Sequence, residues 1–220
     1  MHHACLVIAP KGTKNMQEYL DTALAPFDER KEVPHVVMTR EEAVADFEKR
    51  KVEHPDLQWD NLLQYMDEWY GYIFDENGNA ISNYNPLSKW DWWRVGGRYS
   101  GILLSKTDGE FHDILPFGDT DFDGMVRANI EDAKGRWEQA KGKDRLDRFM
   151  LGISTDNYQE NMAEASIKII TYSVLTKDGE YIERRSQKDD TEGKWLSDYY
   201  ERFLSGLDAE DILAIVDMHI

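Results

Sequence analysis

The chain has one cysteine, Cys5, in 220 residues, so no internal disulfide can form and a disulfide-stapled secreted scaffold is excluded. Basic residues are scarce: 26 stand against 43 acidic ones, for a formal net charge of −17. Such a field repels phosphate backbones, which argues against direct nucleic-acid binding. No apolar run approaches the roughly 18 residues of a membrane span. The segment Met1–Pro10 also lacks the basic start and long apolar core of a signal peptide. No membrane association is therefore expected, and the lone thiol fits a reducing cytoplasm. Phosphate-binding glycine loops with lysine, G-x-S-x-G elbows and H-E-x-x-H helices are missing as well, so no catalytic centre is recognisable and no cofactor is expected. Cys5 lies in an apolar strand pattern, a poor setting for a nucleophile.

What is present is a core-forming chain. Hydrophobic residues make up 41% and aromatics 12%, which excludes wholesale disorder. The run from His2 to Ala9 reads as a first strand and 211–220 as a last one. Met16, Leu20, Ala23, Leu24 and Phe27 have helical spacing, closed by Pro26. Val33 to Met38 reads as a strand, and Thr39 with Glu42 forms a capping box opening the next helix. Trp59, Leu62, Leu63, Met66, Trp69 and Tyr70 make a further helical stripe, with Gly71 at the C-cap position. Hairpin turns are expected at 75–79, at 107–109, and at 177–179 between 167–175 and 180–184. Val126, Ile130, Ala133, Trp137 and Ala140 share one helical face, and a last helix carries Trp195, Leu196, Tyr199, Phe203 and Leu204. Apolar strands at both ends point to one sheet holding both, with the two as possible neighbours. The expected architecture is a single α+β domain over 1–220: a ferredoxin-like antiparallel sheet packed by helices, with an inserted β-hairpin, Trp-rich region at about 71–115.

The densest chemical signal is Asn85-Pro86-Leu87-Ser88-Lys89-Trp90-Asp91-Trp92-Trp93-Arg94-Val95-Gly96-Gly97-Arg98-Tyr99-Ser100-Gly101, which places three of the seven tryptophans within four residues. If Trp90 to Val95 is extended, Trp90 and Trp92 share one face, and Asp91 and Trp93 the other. Gly96 and Gly97 permit a bulge or positive φ that re-aims Arg98. An arginine beside indoles suits a planar, anionic ligand, held by stacking and a two-pronged clamp. Lys89, Arg94 and Arg98 make this the one locally basic spot of an acidic chain. The plainer reading is a Trp-rich core corner in which Arg98 pairs with Asp91.

Two weaker constellations stand beside it. Asp119, Asp121 and Asp123, followed by Gly124, match the opening of a calcium loop, but Ile130 occupies the twelfth position that calls for Glu. Asp123 reads more simply as the N-cap of the helix beginning near Met125. His2, His3, Asp217 and His219 would form a His/Asp/His cluster if the terminal strands pair; polar strand ends near solvent are the simpler account.

The seventeen-residue segment resembles a motif of an uncharacterised bacteriophage and prophage protein family, N-P-x-S-K-W-D-W-(W/Y)-x-(I/V)-G-G-R-W-x-G, with Tyr99 replacing the commoner Trp. Leu24 to Glu29 and Val216 to Ile220 resemble the same group. The resemblance implies a phage accessory protein in the cytoplasm of a bacterial host cell, with counteracting host defence as a natural role. The function expected is non-enzymatic binding of an anionic, planar, nucleotide-like molecule, or of a host protein. Its site would be Lys89, Trp90, Asp91, Trp92, Trp93, Gly96, Gly97, Arg98 and Tyr99, with Asp91 orienting Arg98. The alternatives are an acidic, nucleic-acid-mimicking inhibitor of a host nucleic-acid-binding protein, and a nucleotide-processing hydrolase using carboxylates or His219.

Overall fold

The structure is a computed structural model that describes residues 1–153, 155–166, 169–184 and 192–220. In chain order the elements are β1 (His2–Ala9), α1 (Met16–Leu24), β2 (His35–Met38), α2 (Arg40–Glu53), α3 (Leu62–Tyr70), β3 (Ile73–Phe74), β4 (Ala80–Ser82), β5 (Trp92–Val95), β6 (Leu103–Leu104), β7 (Phe111–His112) and β8 (Ile114–Pro116). They continue with α4 (Phe122–Ala140), α5 (Arg145–Met150), α6 (Tyr158–Ala165), β9 (Ser173–Leu175), β10 (Tyr181–Glu183), α7 (Glu192–Phe203) and β11 (Ile212–His219). The fold is mixed α+β, its sheets mostly antiparallel and packed by helices, a pattern with which a ferredoxin-like arrangement is compatible.

The chain divides into two compact units, one made of Met1–Ala23 and Trp92–Ile220, the other of Leu24–Asp91. The expected insertion covers about 71–115. The enclosed unit instead begins at Leu24 and ends at Asp91, because α2, α3 and the β2–β4–β3 sheet share one core, while the 103–112 hairpin belongs to the first unit.

In the first unit the sheet order is β10–β9–β1–β11–β5, with β8 also on β11. The terminal strands are neighbours over their whole length: β1 runs antiparallel to β11 from His2 opposite His219 to Ala9 opposite Ile212. Strand β9 lies parallel on the other side of β1, and β10 completes the third expected hairpin. That hairpin's expected first strand begins at Ile167, which with Lys168 lies outside the described residues; strand pairing starts at Ser173. The outer edge of β11 is shared, with β8 along Ile212–Ala214 and β5 along Val216–His219. Leu6, Ile8, Leu213, Ile215 and Val174 enter one core with Leu115, Phe122, Met125, Trp195, Tyr199 and Phe203. Successive residues of β1 and β11, which point to opposite faces, are buried alike, hence near-continuous apolar runs in both strands rather than alternation. Cys5 is fully buried there, and burial pushes its thiol up to about 12, which removes it as a nucleophile at neutral pH.

The second unit is held by aromatics. Phe47, Tyr65 and Met66 are buried with Ala43 and Ala80 against Trp59, Tyr70, Tyr72 and Phe74. Asp46 accepts hydrogen bonds from Tyr65 Oη (2.5 Å) and Tyr70 Oη (2.9 Å), so the one acidic group at this core edge is satisfied by phenols. The Thr39–Glu42 capping box forms in both directions, and Gly71 takes the left-handed C-cap at φ 69°. Helix α3 starts later than the hydrophobic stripe implies, at Leu62 after an Asn61 N-cap; Trp59 packs from the preceding loop.

Among the described residues no helix is long and apolar enough to cross a membrane.

At the turn end of β11 the buried Asp211 carboxylate accepts from Lys11 N–H (3.0 Å), Asp208 N–H (2.9 Å) and Lys177 Nζ (3.0 Å). Burial alone would raise its pKa, but these donors outweigh it and hold the group below the ordinary aspartate value. Asp211→Ala should therefore cost about 2–4 kcal/mol, read as a lower urea midpoint at unchanged slope. Because the folded pKa is the lower one, this stabilisation is complete above about pH 4 and is lost as pH falls through the folded value. The wild type should lose stability in acid more steeply than the variant.

Candidate functional site

The motif Asn85–Gly101 is divided between the two units after Asp91. Its first part is structural within the second unit. The buried Asn85 donates through Nδ2 to Pro26 O (2.8 Å) and Asp28 O (2.9 Å) and accepts from Leu87 N–H (3.0 Å). Lys89 N–H donates to Phe27 O (2.8 Å), and Glu29 N–H to Trp90 O (2.9 Å). Trp90 is 6% exposed, and its indole N–H reaches Leu24 O at 3.1 Å. The large ring is thus buried with its polar handle satisfied, as a core indole requires. Asp91 lies within reach of the Arg30 charge in the same unit. The Leu24–Glu29 stretch is what this half of the motif holds.

The second part builds a different object. Strand β5 begins at Trp92, so the extended run expected from Trp90 is shorter and the tryptophans separate. Trp92 and Arg94 point out on one face, while Trp93 and Val95 turn to the other and are half-buried. Trp92 is 44% exposed, the highest value among the seven tryptophans, and the Arg94 guanidinium sits 5.9 Å from its ring centroid. Register places Trp92 opposite His219 and Arg94 opposite Asp217. Since His2 also pairs with His219, three neighbouring strands present His2, His219 and Trp92 in one row. Of the expected strand-end cluster only part comes together: His2, Asp217 and His219 share this face, whereas His3 turns to the other, where its Nε2 lies 3.2 Å from Tyr181 Oη. The His2 and His219 rings are 4.9 Å apart, and His2 meets Trp92 edge-on at 6.0 Å.

Asp217 organises this face. Its side chain is 2% exposed, and Oδ1 is 2.8 Å from His2 Nδ1. Oδ2 accepts the backbone N–H of Arg98 at 3.0 Å. Burial pushes the carboxyl up, but the Arg98 N–H, the His2 ring and the Arg98 charge bring it below the ordinary value, so it stays ionised. The Gly96–Gly97 pair exists for the same reason. Both have positive φ (66° and 59°); a Cβ on Gly96 would collide with the Asp113 carboxylate, and one on Gly97 with that of Asp217. Asp113 closes the far side of the turn by accepting Ser100 Oγ (2.9 Å) and Gly101 N–H (2.7 Å). Tyr99 Oη donates to His2 O at 3.2 Å. The result is a short 3₁₀ turn, Gly97–Tyr99, that leaves the Arg98 side chain exposed.

The nine expected ligand residues thus part company: Lys89, Trp90 and Asp91 belong to one unit, and Trp92, Trp93, Gly96, Gly97, Arg98 and Tyr99 to the other. Asp113 had no local signal, because a carboxylate seventeen residues beyond Gly96 declares its role only in three dimensions. The Asp119–Asp123 run also separates. Asp119 accepts from Ser105 Oγ (2.9 Å), Thr107 Oγ1 (2.7 Å) and Thr107 N–H (3.1 Å). The N-cap of α4 is Asp121, accepting Gly124 N–H at 2.9 Å, rather than Asp123, since the helix starts at Phe122. Among the described residues no group of three or more His, Cys, Asp or Glu side chains is arranged to hold a metal ion. Comparison with protein-family models, curated proteins and solved structures finds no match to this chain.

Gly97→Ala should cost about 2–4 kcal/mol, combining positive-φ strain with displacement of Asp217. Gly101→Ala, at φ 72° with its nearest neighbour at 3.7 Å, should cost only the strain, about 1–2 kcal/mol. Urea denaturation of the two variants measures the difference, and equal losses would remove Asp217 as the reason for Gly97.

Proposed function

We propose that this chain binds a planar, anionic small molecule of nucleotide type on the face formed by His2, Trp92, Arg94, Arg98 and His219. The observation that carries the reading is the most exposed indole of the chain with the exposed Arg94 guanidinium over its ring and the exposed Arg98 on the turn that follows the strand, in a molecule of net charge −17. An exposed indole offers a stacking platform, and arginine forks match phosphate oxygens. The buried carboxylate beneath is taken up by hydrogen bonds with the His2 ring and the Arg98 amide. A turn pinned by Asp113 and Asp217 fixes the backbone from which Arg98 projects, which lowers the ordering cost of binding. In the context implied by the phage and prophage resemblance, the protein acts in a bacterial cytoplasm and its ligand is a nucleotide signal of host defence.

Arg98→Ala separates binding from folding, since Asp217 holds the backbone amide of Arg98 and not its side chain. Native mass spectrometry of freshly purified wild type should show a bound mass that the variant lacks. Calorimetric titration with mononucleotides and dinucleotides should show at least a tenfold affinity loss at a stability change within about 0.5 kcal/mol. Unliganded masses in both proteins, with no heat from any nucleotide, would reject the small ligand in favour of a host-protein partner.

A further inference from the structure

The same face holds groups that simple binding does not require. Resting on the reading of this face as a nucleotide site, we propose that His2 and His219 act as general base and general acid in cleaving a ribonucleotide phosphodiester. Two imidazoles stand side by side on adjacent strands, ring centroids 4.9 Å apart and both partly exposed. One of them is oriented: the buried Asp217 carboxylate engages His2 Nδ1 at 2.8 Å, which fixes the tautomer and leaves Nε2 as the basic nitrogen. His2 Nε2 has no hydrogen-bond partner among the described residues, and 21% of the side chain is open to solvent. An imidazole backed by a carboxylate, with a second imidazole within one ring diameter, can take a proton on one side of a reacting centre and return one on the other. Trp92 stands edge-on to His2 and supplies the stacking surface for a base next to that centre. Arg94, over the Trp92 ring, and Arg98, on the turn after β5, are both exposed and are the cations assigned here to the phosphate's non-bridging oxygens.

Proton transfer in both directions is sufficient when the substrate carries its own nucleophile. The 2′-hydroxyl beside a 3′,5′-phosphodiester is such a group. His2 Nε2 takes the 2′-hydroxyl proton as the 2′-oxygen bonds to phosphorus. The bond from phosphorus to the 5′-oxygen breaks, and protonated His219 gives its proton to that oxygen. The products are a 2′,3′-cyclic phosphate and a free 5′-hydroxyl, and solvent proton exchange restores both rings. The net charge of −17 selects against long strands, because repulsion grows with each phosphate, so a dinucleotide is the substrate class. Asp217 is a positioning residue here, acting only through His2.

The test uses the full chain with diadenosine 3′,5′-monophosphate and its deoxy counterpart, which lacks the nucleophile. Chromatography should show adenosine 2′,3′-cyclic phosphate and adenosine from the first and no product from the second, with activity persisting in EDTA. Calorimetry should show that both ligands bind. His2→Gln and His219→Gln should each slow cleavage at saturating dinucleotide about a hundredfold or more. If both dinucleotides bind and neither is cut, if EDTA abolishes cutting, or if both glutamine variants cut at the wild-type rate, the acid–base proposal fails and the binding site stands. If neither binds, the binding reading fails with it.

Discussion

The buried carboxylate of Asp217 is the constraint from which the local architecture of the first unit follows. A charge placed at the edge of a sheet core must be met by donors, since leaving it unpaired costs several kcal/mol. Asp217 meets that demand with a histidine ring from β1 and a backbone amide from the turn after β5. Three strands distant in sequence are thereby tied at one point. The glycine pair, the positive φ angles and the outward direction of Arg98 are consequences of making room for this carboxylate and for Asp113 beside it. At the other end of β11, Asp211 does comparable work for the loops around Lys11 and Lys177. The longest strand pair of the fold is anchored by an ionised, depressed-pKa aspartate at each end.

The two halves of the Asn85–Gly101 segment each meet a different distant stretch of the chain. Leu24–Glu29 is stapled to Asn85–Trp90 by side-chain amide, indole and backbone hydrogen bonds. Val216–His219 is paired with Trp92–Val95 and capped by the Gly-Gly-Arg turn. A motif that is continuous along the chain therefore does two jobs, one in each compact unit. Trp90 serves as buried structure, whereas Trp92, two residues later, is the exposed ring. That division explains why neither a wholly structural nor a wholly ligand-binding account fits all nine residues.

Electrostatics sharpen the contrast between this face and the rest of the molecule. The exposed Arg94 and Arg98 and the partly exposed His2 and His219 stand together in the first unit, and Asp113 and Asp217, which shape the turn beside them, are engaged by donors. On the proposed reading, the acidity elsewhere favours a ligand with few phosphates over a polymer. His2, oriented by Asp217 and in ring contact with His219, is what the proposed proton transfer adds to stacking.

Much of the secondary structure was legible in local pattern. The Thr39–Glu42 box, the Gly71 cap, the hairpins at 75–79 and 107–109 and both terminal strands depend on interactions within a few residues, and each forms where its pattern lies. Boundaries drifted where packing decides, as at Trp59, which looks helical by spacing but packs from a loop. The sequence by itself determined the elements, the acidic field, the inertness of a cysteine buried in a strand, and the candidacy of the tryptophan-rich segment. Only the tertiary structure decided that β1 and β11 lie side by side, that Trp90 and Trp92 part company, and that His2, Asp217, His219 and Arg98 meet. The reason is that local patterns encode what neighbours along the chain can satisfy. A buried charge draws its donors from residues up to about two hundred positions away, and no periodicity records which ones they will be.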